Sequence, residues 1–200
     1  MIAWWKLETA VAEKTQLRLK YKSLRREFAK GDGRMVAKPL AENLKRFLRD
    51  FSEAQVCLYM ARPDEAPCHL TPPEGFFYPV MSGDNLEFLK PSTAKAFEKN
   101  KLGISEPVRE GAEPLDPLKP TIVCCPAVAI DTHGVRLGLG KGHYDRFFSH
   151  HAHALRVGVV FHVQFSTDPL PAESWDQPMD WIVSERMILR TSTRSSQSWI

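Results

Sequence analysis

The sequence has only four cysteines, and they do not have the paired spacing of a structural metal site. They are Cys57, Cys68, Cys124 and Cys125; no two of them form a CxxC motif, and all but Cys68 lie in apolar stretches. We therefore expect buried, reduced thiols rather than disulfides or metal ligands.

Long hydrophobic runs are also missing. No apolar stretch approaches the roughly 18 to 20 residues that span a bilayer. The opening residues, MIAWWKLETAVAEK, do not show a basic leader followed by an apolar core and a cleavage site. We expect no membrane association and no secretory signal, and therefore a cytoplasmic protein.

An excess of charge of one sign is also missing overall, but the charged residues are unevenly distributed along the sequence. The formal net charge is +3, yet residues 1–50 hold 13 Lys and Arg against 6 Asp and Glu, which leaves the remainder acidic. The basic end is where an anion would bind. A nucleic-acid-binding module is one interpretation, but aromatic residues are poorly interleaved there and the acidic remainder would repel a polyanion. We expect no nucleic-acid partner.

What is present is the composition of one globular domain, with 43% hydrophobic and 26% charged residues. The runs IVCC and VGVV are continuous rather than alternating, which is typical of strands buried on both faces. We predict an α/β fold, a single-domain sandwich with a central, largely parallel sheet covered by helices on both faces. The predicted strands are 55–60, 76–81, 121–130, 155–161 and 180–185. The domain is placed at 1–190 and a polar C-terminal tail at 191–200.

Two helices are predicted before the first strand. In the first, an apolar stripe recurs at steps of four and three residues: Leu17, Tyr21, Leu24 and Phe28. Basic residues occupy its other faces: Arg18, Lys20, Lys22, Arg25 and Arg26. The GDG at 31–33 ends this helix, and PLAENLKRFLRDF forms the second, with Pro39 in its first turn.

The stretch RLGLGKGHYDRFF, residues 136–148, carries three glycines at alternate positions between a predicted strand and a predicted helix. Glycines let backbone N–H groups approach an anion, a helix N-terminus adds positive potential, and Lys141 adds a full charge. The spacing matches neither Walker A nor GxGxxG. Asp145 is equally explained by the helix dipole. Spacing alone therefore leaves open whether this is a phosphate loop or a plain turn.

The wider segment PAVAIDTHGVRLGLGKGHYDRFF resembles the signature of the 5-formyltetrahydrofolate cyclo-ligase family, roughly PGvAFDxxGxRLGxGxGYYDRfL. The stretches KSLRREF, LYMARPDEA, LGISEP and VGVVFHVQFSTDPLPAESWDQPMDWIVSE are similar to other parts of the family pattern. The resemblance covers about residues 20–185. It implies an ATP-dependent, Mg²⁺-requiring conversion of 5-formyltetrahydrofolate to 5,10-methenyltetrahydrofolate, in which ATP phosphorylates the formyl oxygen and ADP and phosphate are released. The implied partners are ATP and a reduced folate, and we expect a monomer.

The resemblance also implies roles for particular residues. It implies ATP binding by Lys22, Arg25, Arg136, Leu137, Gly138, Leu139, Gly140, Lys141, Gly142, His143 and Tyr144. It implies folate binding by Met60, Glu65, Leu139, Gly140, Lys141, Gly142 and His143. It implies metal binding by Asp145 and Asp180, a sparse set that suits Mg²⁺.

Several of these residues also have an ordinary structural interpretation. Asp180 suits a surface aspartate at a strand end, Met60 a core residue and Glu65 a loop carboxylate. A solvated helix face suits Arg18 and Arg26. Tyr21 stands where many family members have a lysine, so Lys20 or Lys22 would substitute.

Three positions depart from the family signature. Ala127 replaces a glycine, Ile130 a phenylalanine and His143 a tyrosine. These changes leave open a second enzymatic interpretation, in which a family relative keeps the ATP loop and acts on another substrate. The folate wall of Met60, Glu65 and His143 would distinguish the two.

Overall fold

The computed structural model describes residues 4–192 except 69, 72 and 102, and for residues 4–10 the helical backbone alone. The described residues form three α-helices: α1 (Trp4–Lys30), α2 (Gly33–Leu48) and α3 (His143–His150). Short 3₁₀ turns lie at Arg49–Phe51, Pro73–Gly75 and His162–Gln164. The strands, in chain order, are β1 (Gln55–Cys57), β2 (Tyr78–Ser82), β3 (Asn85–Lys90), β4 (Phe97–Lys99), β5 (Ser105–Pro107), β6 (Glu113–Pro114), β7 (Thr121–Pro126), β8 (Ala129–Asp131), β9 (Arg136–Leu137), β10 (Leu155–Val159), β11 (Phe165–Ser166), β12 (Trp181–Val183) and β13 (Ile188–Arg190).

The central sheet has five strands in the order β1-β7-β10-β12-β13. The first three pairings are parallel, and β13 returns antiparallel to β12. Because parallel neighbours need crossover connections, the helices and smaller sheets are carried to the faces of this sheet. The predicted α/β class and the largely parallel sheet are confirmed.

Both faces of the central sheet are covered. Along β7, Ile122 and Cys124 face a core built on α2, whereas Val123 and Cys125 face a second core built on α3. The first core takes Leu40, Leu44 and Phe47 from α2, and the second takes Phe147 and Phe148 from α3. Successive residues of β7 are therefore buried on opposite sides, which explains the continuous apolar run in the sequence.

Three smaller sheets accompany the central sheet in the described part of the chain. β2, β3 and β6 form an antiparallel sheet, β4 pairs with β5, and β8 lies between β11 and β9. The predicted strand 76–81 belongs to the first of these rather than to the central sheet. The predicted strand 121–130 is divided into β7 and β8, because the carbonyls of Ala127 and Val128 accept hydrogen bonds from the buried Gln164 side chain instead of a strand neighbour.

The predicted stripe on α1 is partly wrong. Tyr21 is buried, but Leu24 is exposed, and Arg25 takes the inward position with 1% of its surface accessible. The helix ends at Lys30 as predicted. The second helix begins earlier than predicted, at Gly33, so that Pro39 lies inside it rather than in its first turn. Because Pro39 has no backbone N–H, the Met35 carbonyl lacks its helical hydrogen bond, and Met35 is exposed to water.

The cysteines are as expected. All four are free and buried. Burial raises the pKa of the Cys57 thiol, and a hydrogen bond with Cys68 together with burial raises the pKa of the Cys124 thiol, so both thiols stay protonated at neutral pH. Within residues 4–192, no α-helix combines the length and the apolar character needed to cross a membrane.

The predicted tail is described only at its start. Thr191 is buried, and its hydroxyl donates to the Met179 carbonyl at 2.6 Å. Ser192 Oγ lies 2.9 Å from His133 Nδ1. Residues 193–200 lie outside the described residues.

Candidate functional site

The glycine-rich stretch forms a loop between β9 and α3. Gly140 and Gly142 have φ of +96° and +67°, a conformation that glycine adopts without strain. Gly142 directly precedes His143, the first residue of α3, so unpaired N–H groups of the helix start lie at the end of the loop. The loop thus combines glycines of positive φ with a helix start, as an anion-binding loop requires, and anion binding itself stays a prediction.

The turn that leads into this loop is fixed by a buried carboxylate. Asp131 Oδ1 accepts from the backbone N–H groups of His133 and Val135, and Oδ2 accepts from that of Leu170. Gly134, with φ of +80°, is in the same turn and approaches Met179 so closely that an added Cβ would lie 2.2 Å from the Met179 carbonyl oxygen. The entry to the loop is therefore rigid.

Arg136 and Asp145 form a charged pair at the two ends of the loop. Arg136 Nη2 lies 3.2 Å from both Asp145 carboxylate oxygens, and the Gln177 backbone N–H donates to Oδ1 at 3.2 Å. The guanidinium also lies over the Tyr144 ring, 5.4 Å from its centroid. Burial raises the pKa of Tyr144, so its hydroxyl remains a neutral donor.

The inward face of α1 supplies further cations. Arg18 Nε donates to the Gly138 carbonyl at 3.0 Å, and its guanidinium lies beside Gly140. The interpretation of Arg18 as a solvated residue is therefore wrong, whereas Arg26 has a largely exposed side chain as expected. One turn earlier, Lys14 is almost fully buried and its ammonium lies 2.6 Å from Glu173 and 2.7 Å from Asp176.

Arg25 lies one turn beyond Tyr21 and reaches the loop that follows β1. Its Nη2 donates to Asp64 at 2.6 Å, and Nη1 lies 3.6 Å from Glu65 and 3.4 Å from the Ala127 carbonyl oxygen. Burial raises the pKa of Asp64, but the hydrogen bond and charge of Arg25 outweigh it and hold that pKa below its usual value. Glu65 Oε2 also accepts from the Arg62 N–H at 3.0 Å.

These groups line one cavity of about 470 Å³. Its second wall is largely apolar, although it also contains Asn100 and Glu106, and it comes from the β2–β3 and β4–β5 hairpins together with the loop after β1. The apolar lining residues are Met60, Pro79, Met81, Leu86 and Ile104. Tyr59 also lines it and donates to the Ala66 carbonyl at 2.6 Å. A charged glycine loop thus faces an apolar wall, as in a site for a ligand with both characters.

His143 joins the loop to the β2–β3 hairpin. Its Nδ1 lies 3.0 Å from Arg146 Nη2 and 3.1 Å from the Asp84 carbonyl oxygen, which also accepts from Arg146. Nδ1 thus lies between a guanidinium donor and a carbonyl acceptor, and the tautomer of the ring decides which of the two it bonds. The histidine that replaces the family tyrosine is therefore held by neighbours on both sides.

Most of the predicted site residues come together around the cavity. Arg25, Met60, Glu65 and residues 136–145 all line it. Lys22, which is half-buried, and Asp180 do not. Asp180 is buried, and its Oδ2 accepts from the Arg156 backbone N–H at 2.9 Å. Within the described part of the chain, no three His, Cys, Asp or Glu side chains form a group that could hold a metal ion.

The departures from the family signature are accommodated in the fold. Ala127 is buried and does not have positive φ, because positive φ occurs only at glycines among the described residues. Ile130 is fully buried against β10, where Gly158 leaves room for its Cδ1.

Sequence reasoning missed several lining residues. Lys14 and Arg18 lie eleven and seven residues before Arg25, a helical spacing that places all three on one face, and this signal could have identified them. The hairpin wall and the group Glu173, Trp175 and Asp176 have no such signal, because only tertiary packing brings them to the glycine loop.

The fold and this cavity define the class: an α/β protein in which a cationic glycine loop and a largely apolar wall line one cavity. The sequence pattern of the 5-formyltetrahydrofolate cyclo-ligase family matches residues 10–185. The chain belongs to this family.

Individual relatives agree with this assignment. The 5-formyltetrahydrofolate cyclo-ligase of Escherichia coli is 33% identical over 113 residues, 54% of this chain and 62% of that protein. The chain therefore matches less than two thirds of that relative's length. The Haemophilus influenzae enzyme of the same name is 35% identical over 98 residues, 47% of this chain and 51% of that protein.

Solved structures match over more of the chain. The NMR structure of Aquifex aeolicus 5,10-methenyltetrahydrofolate synthetase has a TM-score of 0.74 and 30% identity, covering 94% of this chain and 96% of that one. The Mycoplasma pneumoniae 5,10-methenyltetrahydrofolate synthetase has a TM-score of 0.67 at 19% identity, covering 86% and 99%, and supports the fold alone.

Proposed function

We propose that the protein converts 5-formyltetrahydrofolate to 5,10-methenyltetrahydrofolate with ATP, releasing ADP and phosphate. The observation that carries this proposal is the single cavity lined both by the cationic loop 136–145 and by the apolar wall around Met60 and Glu65. The first wall suits a triphosphate and the second suits a pterin. Family membership and the names of the relatives agree with it.

The reaction joins two steps in this cavity. A formyl group on nitrogen is a poor electrophile, so its oxygen first attacks the γ-phosphorus of ATP and the bond to ADP breaks. The second folate nitrogen then attacks the activated carbon, loses its proton and expels phosphate. Both steps need the folate and the triphosphate held side by side, and positioning supplies much of the rate in such transfers.

The phosphate wall is formed by backbone N–H groups and by three cations. Arg136 is held by Asp145, and Arg18 is held by the Gly138 carbonyl. In the part of the chain whose side chains are described, neither Arg18 nor Lys141 has a carboxylate within 4 Å. Their charges are therefore available to the ligand, and in this preorganised site they would stabilise the charge on the transferred phosphoryl group.

The residues at this wall fit Mg²⁺. Asp145 presents a hard carboxylate to the cavity, and Mg²⁺ commonly takes one or two protein carboxylates and completes its coordination with water and phosphate oxygens. When bound, Mg²⁺ would neutralise phosphate charge. Asp180 stays a prediction as the second carboxylate, and Lys22 and Arg25 stay predictions as ATP ligands. Arg25, already paired with Asp64 and Glu65, orients the folate wall.

We expect Glu65→Gln to raise the KM for 5-formyltetrahydrofolate and leave that for ATP unchanged. The buried carboxylate would accept from pterin N–H groups, and loss of a charged acceptor costs about tenfold or more in affinity. Steady-state kinetics with each substrate varied in turn measures this. The exposed Glu110→Gln is the matched control. A raised KM for ATP alone would place Glu65 at the nucleotide and contradict its role in folate binding.

For Lys141→Ala we expect the KM for ATP to rise about threefold to tenfold, since one solvent-exposed charge on the phosphates is lost. The effect should weaken as salt is added, because exposed charges are screened. Lys119→Ala, another exposed lysine outside the cavity, is the control. An unchanged KM would mean that the loop binds phosphate through its backbone alone.

The proposed reaction is tested by mixing the purified chain with ATP, Mg²⁺ and 5-formyltetrahydrofolate and recording the ultraviolet absorbance of the methenyl product. Product formation that requires all three supports the proposal. A folded chain that binds ATP but forms no product would contradict it. That result would favour the second interpretation, in which a relative that keeps the ATP loop acts on another substrate.

The proposal includes a monomeric protein in the cytoplasm that binds no nucleic acid. The four unpaired, buried thiols are in keeping with a reducing compartment. Sedimentation at several protein concentrations tests the monomer. A salt-dependent shift with duplex DNA would argue against the expected lack of a nucleic-acid partner.

A further inference from the structure

Trp175 is an unusual residue in the cavity wall, because it is large and apolar and yet 58% exposed. Its indole N–H has no hydrogen-bond partner, and its ring stacks on no other aromatic ring, among the residues that the structure describes. Exposing so much apolar surface has no benefit for folding. At the edge of a small-molecule cavity, it offers a flat face to a ligand.

The segment that carries Trp175 is held firmly. Glu173 and Asp176, on either side of it, both bind the ammonium of Lys14, and Asp176 Oδ2 also accepts from the Glu173 N–H at 2.8 Å. The next residue, Gln177, donates its N–H to Asp145. We call residues 173–176 the tryptophan rim. The Trp175 ring is therefore carried by a loop that ion pairs and backbone hydrogen bonds hold in place.

The charged groups of the cavity favour different positions for the phosphates and for the base of a nucleotide. Lys14 balances only one of the two rim carboxylates, so the tryptophan rim keeps a net negative charge and disfavours phosphates. Arg18 and Lys141, which have no carboxylate partner among the side chains that the structure describes, lie at the glycine loop and favour phosphates. The neutral end of ATP is its base, and it is the only part of that molecule with a face that stacks on indole.

The folate half of the cavity lies elsewhere along the loop. The glycine loop contacts Arg18 of α1 through Gly138, and it contacts Asp84 of the β2–β3 hairpin through His143. The apolar hairpin wall therefore meets the loop at His143, whereas the tryptophan rim is joined to α1 through Lys14 and, through the adjacent Gln177, to Asp145. A pterin on the hairpin wall leaves the rim to the nucleotide.

We propose that Trp175 is the platform on which the adenine ring of ATP stacks, with the phosphates at the glycine loop. This rests on the proposed function, because it places the nucleotide of that reaction. Every base has a face that stacks, so the platform would bind purines without choosing between adenine and guanine. We therefore expect Trp175→Ala to weaken ADP and GDP by the same factor.

The test is calorimetric titration of the full chain with ADP and, separately, with inorganic triphosphate, which has no base. We expect Trp175→Ala to weaken ADP binding about tenfold to a hundredfold while triphosphate affinity changes by less than about twofold. Trp175→Phe should stay within about threefold of the native chain for ADP, because it keeps an aromatic face. Met35→Ala, an exposed apolar residue outside the cavity, should change neither.

Other results would overturn the platform. They are unchanged ADP affinity in Trp175→Ala, equal weakening of ADP and triphosphate, a rise in the KM for folate instead of ATP, or a native chain that binds no ADP. The proposed reaction is judged separately. A native chain that binds ADP through Trp175 but forms no methenyl product would contradict the reaction and leave the platform standing.

Discussion

Asp145→Asn is expected to lower turnover about a hundredfold or more while the protein stays folded, because it removes the one carboxylate at the phosphate wall that the proposal gives to Mg²⁺. The substitution keeps the size of the side chain and its capacity to accept from Gln177. The unfolding midpoint should therefore move little. Turnover as a function of Mg²⁺ concentration, with thermal unfolding in parallel, measures the effect.

The same variant separates metal binding from simple packing. Without Mg²⁺, the affinity for ADP should stay equal or rise, since a negative charge has been removed beside the phosphates and Arg136 loses its partner. Asp50→Asn, an exposed aspartate far from the cavity, is the control for loss of one charge. Near-native turnover with a native Mg²⁺ dependence would remove Asp145 from the metal role.

Gly134→Ala is expected to cause the largest loss of stability. Two effects add at this position: an L-residue with φ of +80° is strained, and its Cβ would lie 2.2 Å from the Met179 carbonyl oxygen, a backbone atom that cannot rotate away. Together they should cost about 3 to 5 kcal/mol, which lowers the unfolding midpoint of a 200-residue domain by about 10 °C.

Two other glycines provide matched controls for this variant. Gly83 also has positive φ, +61°, but nothing lies within 4 Å of an added Cβ, so Gly83→Ala should show the backbone strain alone. Gly75 has neither positive φ nor a near neighbour, so Gly75→Ala should be close to neutral. Chemical denaturation of the three variants tests the order. Equal losses for Gly134 and Gly83 would mean that the Met179 backbone moves away from the added Cβ without cost.

Much of the fold could be predicted from local pattern. The runs around Val123 and Val157 are continuous because those strands are buried on both faces, and the GDG that ends α1 is visible in sequence. The burial of Arg25 could not be predicted from periodicity. A charged side chain is buried only where it is paired, and Arg25 is paired with Asp64 and Glu65. Those partners are distant in sequence.

The candidate site shows the same contrast between residues that lie together in the sequence and residues that only tertiary contacts bring together. The glycine loop is contiguous, so its residues could be named together once its flanks indicated a family. The β2–β3 hairpin and the tryptophan rim reach it only through tertiary contacts, such as His143 with Asp84 and Lys14 with Glu173. Asp180 is not among the residues that line the cavity, so its role as a metal ligand stays a prediction that rests on the family pattern alone.

The buried ion pairs of Lys14 join residues 159 and 162 positions apart in the chain. One cavity wall is therefore supplied by two segments that a ribosome produces far apart in time, and a nascent chain that ends before Glu173 has only half of it. On the proposed function, nucleotide binding would in this way depend on synthesis of the chain as far as Asp176. By mass action, a ligand at a hundred times its Kd would add about 2.7 kcal/mol to the stability of the finished chain. That gain is withheld from unfinished chains, so ATP would favour the complete protein over its own fragments.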